Sequence, residues 1–379
     1  MTKAVIAGYA RTPFTPANKG ELIRIRPDDL GALVARSLVN SYDLDPKTIE
    51  DLIVGCAFPE GEQGLNLARN IVFLADLPNS IAATTVNRFC GSSMQAIHMA
   101  VGSIHSGSGD AFLCLGIESM TRIPMPGFNP MLNPKLFDLG HPAYIGMGET
   151  AENLAKKYNI SSEEQNTFAV NSHRKATHAQ RSGYFDNEII KIETNGKTID
   201  QDTCIRAETT TKTLSELKPA FDKNGSVTAG TSSPLTDGAA GVIVASEDYC
   251  KQHNLLPIAE IKSIAVSGCS PEIMGIGPVE ATKKALKRAK LNLNDIDIIE
   301  LNEAFAAQSI AVLKELDIDE SKVNLDGGAI ALGHPLGATG ARITGKSAHI
   351  LQREKKNISL ATQCIGGGQG IATILEAIQ

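Results

Sequence analysis

The sequence predicts an α/β fold made of two duplicated halves, with a further segment inserted between them. Short apolar runs typical of strands alternate with stretches of helical periodicity, which is the pattern of α/β proteins. The same order of elements returns late in the chain, and three landmarks repeat at an offset of 246 or 247 residues. Between the two occurrences lies a long stretch without this rhythm.

The first half reads as strand, helix, strand, helix and strand. Lys3–Ala7 is a short apolar run, and Asp28–Ser41 carries Leu30, Leu33, Val34 and Leu38 on one helical face. Ile49–Ala57 predicts a second strand, and apolar residues recur at helical spacing over Met94–Ile104. Ala111–Leu115 is apolar throughout, which is typical of a strand buried on both faces.

The second half repeats this order. Its predicted elements are a helix over Val279–Ala289, a strand over Ile296–Leu301, a strand edge at Val323–Leu325, a Gly-rich elbow at Gly333–Gly340, a helix from there to about Gln352, and strands over Ile358–Thr362 and Gly370–Leu375. The repeated landmarks are Phe58 and Phe305, Gly91 and Gly337, and Asp110–Leu113 and Asn357–Leu360. Two unrelated βαβ units could match by chance, but they would not keep the spacing between landmarks, so we expect a duplication.

The segment Glu118–Asp248 departs from the alternation. Thr121–His141 is Pro-rich and predicts a loop, and Ser161–Glu164 has the pattern of a capping box that opens a helix to about Arg181. Lys218–Asp237 is rich in turn residues. We therefore expect three parts: a first half over residues 1–117 with 219–256, a lid-like loop insertion over 118–218, and a second half over 257–379.

Composition excludes several classes of protein. Hydrophobic residues make up 42% of the 379 residues and charged residues 21%, as in ordinary globular domains. The net charge of −6, without a basic stripe, argues against nucleic acid as a partner. The sequence contains no run of 18 apolar residues, so it predicts no membrane-spanning helix. The N-terminal apolar run is too short for the core of a signal peptide, so we expect a cytoplasmic protein.

The seven cysteines are scattered and form no C-x-x-C pair, which argues against a zinc or thioredoxin motif. Cys90 lies in the segment Val86–Met94, between a predicted strand and a predicted helix, and small residues follow it. A thiol at a helix N-terminus lies where the helix dipole favours the thiolate. A buried structural cysteine is the alternative, but the elbow position favours a nucleophile.

His334 lies in the second elbow, which the repeat makes the counterpart of the Cys90 elbow. Two pseudo-symmetric elbows can face one cleft, and a base beside a thiol is what nucleophilic catalysis requires. A loop histidine without a catalytic role is the alternative. The four histidines on helical patterns are predicted to lie at the surface or at an edge of the fold: His98, His105, His173 and His178.

Two further motifs end strands of the second half. Cys364 begins a Gly-rich segment that runs to Gly370, where free backbone N–H groups could bind an oxyanion. A hairpin turn with an incidental cysteine is the alternative. Asn302 follows the predicted strand Ile296–Leu301 and could donate a hydrogen bond to a substrate oxygen, or could simply cap a turn.

Together these four motifs, with the segments Thr228–Ser233 and Asp237–Ala240, resemble the thiolase family from about Lys3 to Ala377. The resemblance implies a five-layered αβαβα fold of two duplicated halves, and assembly as homodimers or homotetramers. The form of the Cys90 motif is most similar to that of bacterial fatty-acid oxidation thiolases. The implied reaction is ping-pong: 3-ketoacyl-CoA and coenzyme A give acyl-CoA and acetyl-CoA reversibly, with coenzyme A as a substrate and no cofactor.

The resemblance also assigns roles to residues. Cys90 would carry the acyl group, His334 would activate Cys90, and Cys364 would act as acid and base on the acetyl-CoA carbanion and on coenzyme A. Asn302, through a water, would share one oxyanion site with His334, and the N–H groups of Cys90 and Gly366 would form the second. Ser233 would contact the pantetheine of coenzyme A, Arg206 would contact its adenine end, and Met147 would line the acyl pocket. Splitting a carbon–carbon bond next to a ketone needs such a nucleophile, acid and set of donors.

One departure bears on specificity. Acetoacetyl-specific relatives usually carry His-Met-Gly where this chain has Gly146–Gly148, and their adjoining loop is longer. The resemblance therefore favours a 3-ketoacyl-CoA thiolase, with an acetoacetyl-CoA-specific acetyl-CoA acetyltransferase as the alternative. A ketoacyl-synthase-like condensing enzyme would pair its cysteine with two histidines or with His and Asn, and the Cys364 motif argues against it. A non-catalytic lipid-binding relative would have lost catalytic residues that this chain retains.

Overall fold

Strands and helices alternate along the chain as the sequence predicts. The computed structural model describes residues 2–194 and 196–378, so positions 1, 195 and 379 of the expected division lie outside the described residues. The strands are β1 (Ala4–Arg11), β2 (Thr15–Pro16), β3 (Asp51–Gly55), β4 (Ala82–Val86), β5 (Ala111–Ser119), β6 (Ile192–Thr194), β7 (Lys197–Ile199), β8 (Thr236–Ser246), β9 (Ala259–Gly268), β10 (Ile298–Leu301), β11 (Ile358–Ile365) and β12 (Gln369–Ala377). The α-helices are α1 (Pro27–Ser41), α2 (Leu67–Leu74), α3 (Ser92–Ser106), α4 (Pro134–Asp138), α5 (Met147–Lys157), α6 (Ser162–Arg181), α7 (Thr211–Ser215), α8 (Glu247–Gln252), α9 (Gly277–Ala289), α10 (Ala306–Leu316), α11 (Ala329–Leu332) and α12 (Thr339–Glu354).

The sheet topology repeats. In the first half the strand order is β4-β3-β5-β8-β1, with β4, β3 and β5 parallel and the other neighbours antiparallel. In the second half β10 and β11 are parallel, and β12 and β9 follow antiparallel. The predicted strand edge Val323–Leu325 reduces to a single parallel bridge between Val323 and Ile299, at the place that β4 holds in the first half. The two half-sheets meet where β1 pairs with β9 over two residues.

The pairing registers identify the duplication. Asp51 of β3 is the partner of Phe112 on β5, and Ile298 of β10 is the partner of Ser359 on β11. Each residue of the second pair lies 247 positions after its counterpart in the first. Since both registers and both strand directions agree, the repeat is one of structure and not of sequence pattern alone.

The helices that follow the two elbows obey the same offset. α3 begins at Ser92 and α12 begins at Thr339, which are 247 residues apart. The landmark that matched Gly91 with Gly337 is therefore one residue short, because it aligned residue type and not register. The structural counterpart of Gly91 is Ala338.

Five layers result from the packing of helices on both half-sheets. Helices α3 and α12 contact each other between the half-sheets, α1 and α2 cover the outer face of the first, and α9 with α10 flanks the second. Alternation along β5 serves both faces, because Leu113 and Leu115 belong to the core beneath α1 while Phe112 and Cys114 belong to the core around α3. The five-layered αβαβα prediction is confirmed.

The centre of the molecule depends on a close approach of two backbones. A Cβ atom at Gly116 of β5 would lie 2.0 Å from the carbonyl oxygen of Gly337, in the elbow before α12. No side chain fits there. This contact brings the end of β5 directly against the loop that carries His334.

The segment between β5 and β8 contains α4 to α7 and the β6–β7 hairpin. Both capping-box bonds between Ser161 and Glu164 are present, so the predicted helix to Arg181 is confirmed as α6. The predicted loop over Thr121–His141 is interrupted by α4, because the Asn133 side chain accepts the N–H of Lys135 and a proline opens the turn. No helix in residues 2–194 and 196–378 is both long and apolar enough to cross a membrane.

A buried ionic network fixes this segment to both halves. The Arg11 guanidinium on β1 donates to both carboxylate oxygens of Asp202 at 2.7 and 2.8 Å, and to Glu188 at 2.8 Å. Lys346 of α12 lies 3.1 Å from Glu188 and 2.7 Å from Asp326. All five side chains are buried, so removal of Arg11 would leave Asp202 without the buried positive charge that it pairs with.

Candidate active site

The four motifs end at one place between the halves. Cys90 lies between β4 and α3, His334 lies between α11 and α12, and Asn302 follows β10. Cys364 is the penultimate residue of β11, beside the turn that leads into β12. These positions bring an elbow from each half to the ends of the central strands.

The Cys90 elbow is tight and strained. Phe89 has φ of +42°, in the left-handed region that non-glycine residues rarely adopt, and its N–H donates to Asn87 Oδ1 at 2.8 Å. A Cβ atom at Gly91 would lie 2.5 Å from the Ile365 side chain. The elbow therefore packs directly against the end of β11, on which Cys364 lies.

Burial has the largest effect on the Cys90 thiol and raises its pKa to about 11, although hydrogen bonding by the backbone N–H groups of Gly366 and Cys90 lowers the pKa. The nearby Glu118 carboxylate raises it further. Burial therefore has a larger effect on the pKa of Cys90 than its position at the start of α3. Burial keeps Cys90 a neutral thiol at pH 7, so it needs a base.

Cys364 lies on the other side of the same elbow. Burial raises the pKa of its thiol, and the neighbouring thiols of Cys90 and Cys269 raise it further. The turn after it requires glycine at Gly368, which has φ of +85° and whose Cβ would lie 2.3 Å from the Cys269 carbonyl oxygen. The side-chain amide of Gln363 donates to the Cys90 carbonyl, which ties the two cysteine segments together.

His334 is held on three sides. Its Nδ1 lies 2.6 Å from Thr339 Oγ1, its Nε2 lies 3.3 Å from Asn302 Nδ2, and its backbone N–H donates to Thr236 Oγ1 at 3.0 Å. Burial, assisted by the positive charge of Arg342, lowers the pKa of the imidazole to about 3. His334 is therefore neutral at pH 7 and able to accept a proton.

Asn302 contacts His334 directly, through its side-chain amide. It is buried, and its backbone N–H donates to the Thr362 carbonyl at 3.0 Å, so β11 fixes its position. Within the described residues Asn302 Oδ1 has no hydrogen-bond partner. No hydrogen bond there joins the Cys90 thiol to His334, and such contacts commonly tighten only when substrate is bound.

Sequence reasoning missed a buried carboxylate that joins the His334 elbow to the first half. Glu118, at the end of β5, accepts the N–H of Ala57 at 2.8 Å, the Gln63 amide at 2.8 Å and the N–H of Gly337 at 2.9 Å. It thereby connects the loop after β3 with the turn that carries His334. An acidic residue directly after a wholly apolar strand was the available signal, because a carboxylate is rarely buried without such donors.

A second carboxylate that sequence reasoning missed, that of Glu303, holds the loop after β10 against the inserted segment. Glu303 is buried, and it accepts hydrogen bonds from Ser172 Oγ at 2.6 Å, Asn324 Nδ2 at 2.8 Å and the Ile330 N–H at 3.2 Å. Ser172 belongs to α6, so the inserted segment is bonded to the loop beside Asn302. The sequence shows the Asn-Glu pair, but not which distant donors would satisfy the glutamate.

Two of the three predicted substrate residues adjoin this cluster. The Met147 sulfur lies 3.5 Å from the position of a Cβ atom at Gly366, and Met147 packs beside Cys364. Ser233 donates its hydroxyl to the Ala304 carbonyl at 3.1 Å, which places it against the Asn302 loop.

Arg206 lies outside the cluster. Its side chain is exposed, and its backbone N–H donates to His173 Nδ1 at 3.1 Å. The expectation that His173 and His98 lie at the surface is wrong, since both are buried. His98 instead bonds Thr373 Oγ1 at 2.9 Å across the core. Helical periodicity did not reveal this, because both helices are covered on more than one face.

Comparison with known proteins agrees with the fold. The family model for the thiolase N-terminal domain matches residues 4–248, and that for the thiolase C-terminal domain matches residues 255–377. The chain therefore belongs to the thiolase family, a family of acyltransferases.

Relatives match over the whole chain. A 3-ketoacyl-CoA thiolase of Marinobacter nauticus is 50% identical over 99% of this chain and 98% of its own length. The human mitochondrial 3-ketoacyl-CoA thiolase in complex with CoA superposes with a TM-score of 0.92 at 39% identity, covering 100% of this chain and 98% of that one. The Bacillus anthracis acetyl-CoA acetyltransferase gives 0.91 at 38% identity, with coverage of 100% and 99%.

Proposed function

We propose that this chain is a 3-ketoacyl-CoA thiolase that works through an acyl-Cys90 intermediate. The observation that carries the proposal is the position of the Cys90 elbow: it packs against Ile365 at the end of β11, and a hydrogen bond from Gln363 ties it to the strand that carries the buried thiol of Cys364. The elbow of the other half supplies a neutral imidazole. The thiolase relatives over the full length of the chain support the same assignment.

The first half-reaction breaks the carbon–carbon bond. His334 Nε2 takes the proton of the Cys90 thiol, and the sulfur attacks the 3-keto carbon. The N–H groups of Cys90 and Gly366 then donate to the oxyanion that forms. When the bond between C2 and C3 breaks, its electron pair goes to the acetyl-CoA enolate. The thioester oxygen of the enolate receives hydrogen bonds from protonated His334 and from Asn302 through a water, and the Cys364 thiol protonates its carbon.

The second half-reaction restores the enzyme. The Cys364 thiolate takes the proton of incoming coenzyme A, whose sulfur attacks the acyl group on Cys90. The acyl-CoA leaves, and His334 returns its proton to Cys90. Every proton that is given is regained, so two thiols and one imidazole complete the cycle. Coenzyme A is a substrate here, and no cofactor is part of the proposal.

The coenzyme would enter over the inserted segment. In the proposal Ser233 contacts the pantetheine arm, Met147 lines the acyl pocket, and the exposed Arg206 meets the adenine end. Ser233 is held against the catalytic loop, which supports a role near the reacting thioester. We propose the same division of labour in the chain: residues 118–218 as the lid between a first half completed by 219–256 and a second half from 257.

An acetoacetyl-CoA-specific acetyl-CoA acetyltransferase is the second candidate, since a protein of that name shares the fold at 38% identity. The open space at Gly146 favours the first candidate, an enzyme that also accepts longer 3-ketoacyl chains. A Cβ atom at Gly146 would meet only the Glu149 side chain, at 3.7 Å or more, so the position that usually carries histidine in acetoacetyl-specific enzymes is open.

We also propose a homodimer or homotetramer in the cytoplasm. Strand β4 is the outer strand of the first half-sheet, and no other strand of the described residues pairs with its free edge. Leu65 and Phe89, next to it, are 93% and 40% exposed. An uncovered strand edge beside apolar side chains is suited to pairing with a second copy. Light scattering at micromolar concentration should give at least twice the chain mass, and a monomer would contradict this.

Steady-state thiolysis tests the proposed function. The wild-type protein should cleave both acetoacetyl-CoA and a ten-carbon 3-ketoacyl-CoA in the presence of coenzyme A, and Cys90→Ala should cleave neither. Cys250→Ala is the matched control, because Cys250 is also a free cysteine but lies in the core beneath α1. Activity that survives in Cys90→Ala, or a wild-type protein without thiolysis, would overturn the proposal.

A further inference from the structure

We propose that Thr339 is a positioning residue of this site: its hydroxyl holds His334 in the tautomer that carries the proton on Nδ1 and leaves Nε2 free to take the proton of Cys90. The inference rests on the proposed function, because it explains how the base of that reaction is prepared. Thr339 is the first residue of α12 and is fully buried.

The first observation is the pair of contacts that the hydroxyl makes. Thr339 Oγ1 lies 3.0 Å from the Pro335 carbonyl oxygen, one helical turn back, and 2.6 Å from His334 Nδ1. A hydroxyl has a single proton to donate. If the carbonyl, which can only accept, receives that proton, the contact with the imidazole is one in which Nδ1–H donates to the hydroxyl oxygen.

The second observation lies at the opposite end of the ring and is independent of the first. Asn302 Nδ2 is 3.3 Å from His334 Nε2. An amide NH₂ group can only donate, so Nε2 is the acceptor in this contact. A neutral imidazole has one N–H, and both contacts assign it to Nδ1. The low pKa of His334 agrees, because it keeps the ring neutral at pH 7.

This tautomer is the one that the proposed reaction needs. A bare Nε2 faces Asn302 in the cleft and accepts the proton of Cys90, after which the same N–H donates to the enolate oxygen. The opposite tautomer would place the proton on Nε2 from the start, and the ring would have to turn or lose that proton before it could act as a base. An orienting partner on the far nitrogen is the usual way to fix such a choice.

A packing role for Thr339 would give different results, and the chain offers a matched control. Thr344 is five residues further along the same helix, is fully buried, and donates its hydroxyl to the Gly340 carbonyl at 2.8 Å in the same backward geometry. Among the described residues, no hydrogen bond joins its side chain to a histidine. Thr339→Val and Thr344→Val therefore remove the same hydroxyl from the same kind of helical site, and only the first removes the contact with the imidazole.

The kinetic test uses these variants with Thr339→Ser. In Thr339→Val we expect kcat for thiolysis, and the rate at which iodoacetamide alkylates Cys90 at pH 7, to fall about 10- to 100-fold, as is usual when the partner of a functional imidazole is removed. KM should change little. In Thr339→Ser, kcat and the alkylation rate should recover to within a few-fold of wild type. In Thr344→Val, both quantities should also stay within a few-fold of wild type.

The spectroscopic test reads the tautomer directly in the full-length protein labelled with ¹⁵N-histidine, with the His334 signals identified by their loss in His334→Asn. Wild type should show a protonated Nδ1 and a bare Nε2, and Thr339→Val a mixture of tautomers. A protonated Nε2 in the wild-type protein overturns the inference even if Thr339→Val fails to fold. So does equal behaviour of Thr339→Val and Thr344→Val, or a slower Thr339→Val whose tautomer is unchanged. If wild type forms no acyl-Cys90, the proposed function fails instead, and the tautomer measurement still stands.

Discussion

The two elbows occupy equivalent places in the two halves but differ in almost every physical property. Each precedes a central helix, at Ser92 in one half and Thr339 in the other. The elbow with Cys90 is partly exposed and contains the strained Phe89. The elbow with His334 is buried, and hydrogen bonds fix its histidine at both ring nitrogens. The duplication placed a loop before a central helix at the same position in both halves, and we propose that the two loops perform different tasks.

The difference shows what each task requires. A nucleophile must be reached by substrate, so its elbow opens to the cleft, whereas a base must keep one orientation and one proton state, so its elbow is enclosed. Burial moves the two pKa values apart, to about 11 for the Cys90 thiol and about 3 for the His334 imidazole. At pH 7 the resting pair is therefore neutral, and no thiolate–imidazolium pair exists before substrate binds.

Removal of His334, the proposed base, should give the largest change in kcat. At pH 7 a thiol with a pKa near 11 is about one part in ten thousand thiolate, so His334→Ala should lower kcat for thiolysis by roughly 10³-fold or more. Alkylation of Cys90 in this variant should accelerate about tenfold per pH unit between pH 7 and 10. His253→Ala, at the C-terminal end of α8, is the control. A His334→Ala enzyme with a tenth of wild-type kcat would break the comparison.

Removal of the second thiol should separate the two half-reactions. Cys364→Ala should still form the acyl-enzyme from acetyl-CoA, slowly, because the Cys90 elbow is intact. Exchange of the acetyl-CoA methyl protons with D₂O, and condensation, should fall by roughly 10²-fold or more, since the carbon acid has lost its partner. Mass spectrometry and NMR of the acetyl group measure the two steps. Full thiolysis in Cys364→Ala would remove Cys364 from the mechanism.

The open position beside Met147 predicts a moderate change in specificity. Each methylene that an acyl chain buries contributes roughly 0.8 kcal/mol, so two or three shift kcat/KM by about tenfold or more. Wild type should therefore use a medium-chain 3-ketoacyl-CoA at least as well as acetoacetyl-CoA, and Gly146→His should reverse that order. Met131, which could have refilled the space, is 85% exposed. A wild-type enzyme confined to acetoacetyl-CoA would move the assignment to the acetyltransferase.

The smallest effect is on the pH dependence of the free energy of unfolding. The contribution of His334 changes on the acidic side of neutrality, and that of Cys90 changes on the alkaline side. The lowered pKa of His334 means that its contribution to stability is present above about 6.5 and is lost as pH falls toward 3. The raised pKa of Cys90 gives a contribution that is present below 9.0 and is lost as pH rises toward 11. Each amounts to at most ~1.4 kcal/mol per pH unit within its window.

Urea unfolding as a function of pH separates these contributions. His334→Gln should flatten the loss of unfolding free energy between pH 6.5 and 5 without changing the alkaline side, and Cys90→Ala should do the reverse. Equal pH dependence in wild type and both variants would show that the two groups are not buried as described.

The sequence predicted the duplicated fold and singled out the candidate catalytic residues for reasons that lie within short segments. Strand and helix periodicity, two elbows at a fixed offset, and a Gly-rich turn are all local patterns. The register of 247 residues emerged because both halves kept the same distance from strand to helix. The one-residue error at Gly91 and Gly337 arose where residue type and register disagree.

What the sequence could not predict depends on contacts between distant segments. The neutral state of Cys90 is set by burial, which outweighs the dipole of α3 and is not visible in the motif. The Glu118 carboxylate accepts hydrogen bonds from donors at positions 57, 63 and 337, which come together only in the folded chain. Thr339 lies within the predicted elbow Gly333–Gly340, and its contact with His334 depends on the geometry of that turn.

The acyl-enzyme itself is the most direct test of the account. Wild-type protein incubated with acetyl-CoA, quenched in acid and digested should show one acetyl group on the peptide that contains Cys90. Cys90→Ala should show none, and Cys269→Ala, which removes the other partly exposed thiol, should label like wild type. The account predicts labelling at Cys90 that coenzyme A removes. An acetyl group on any other residue, or on none while thiolysis proceeds, would contradict it.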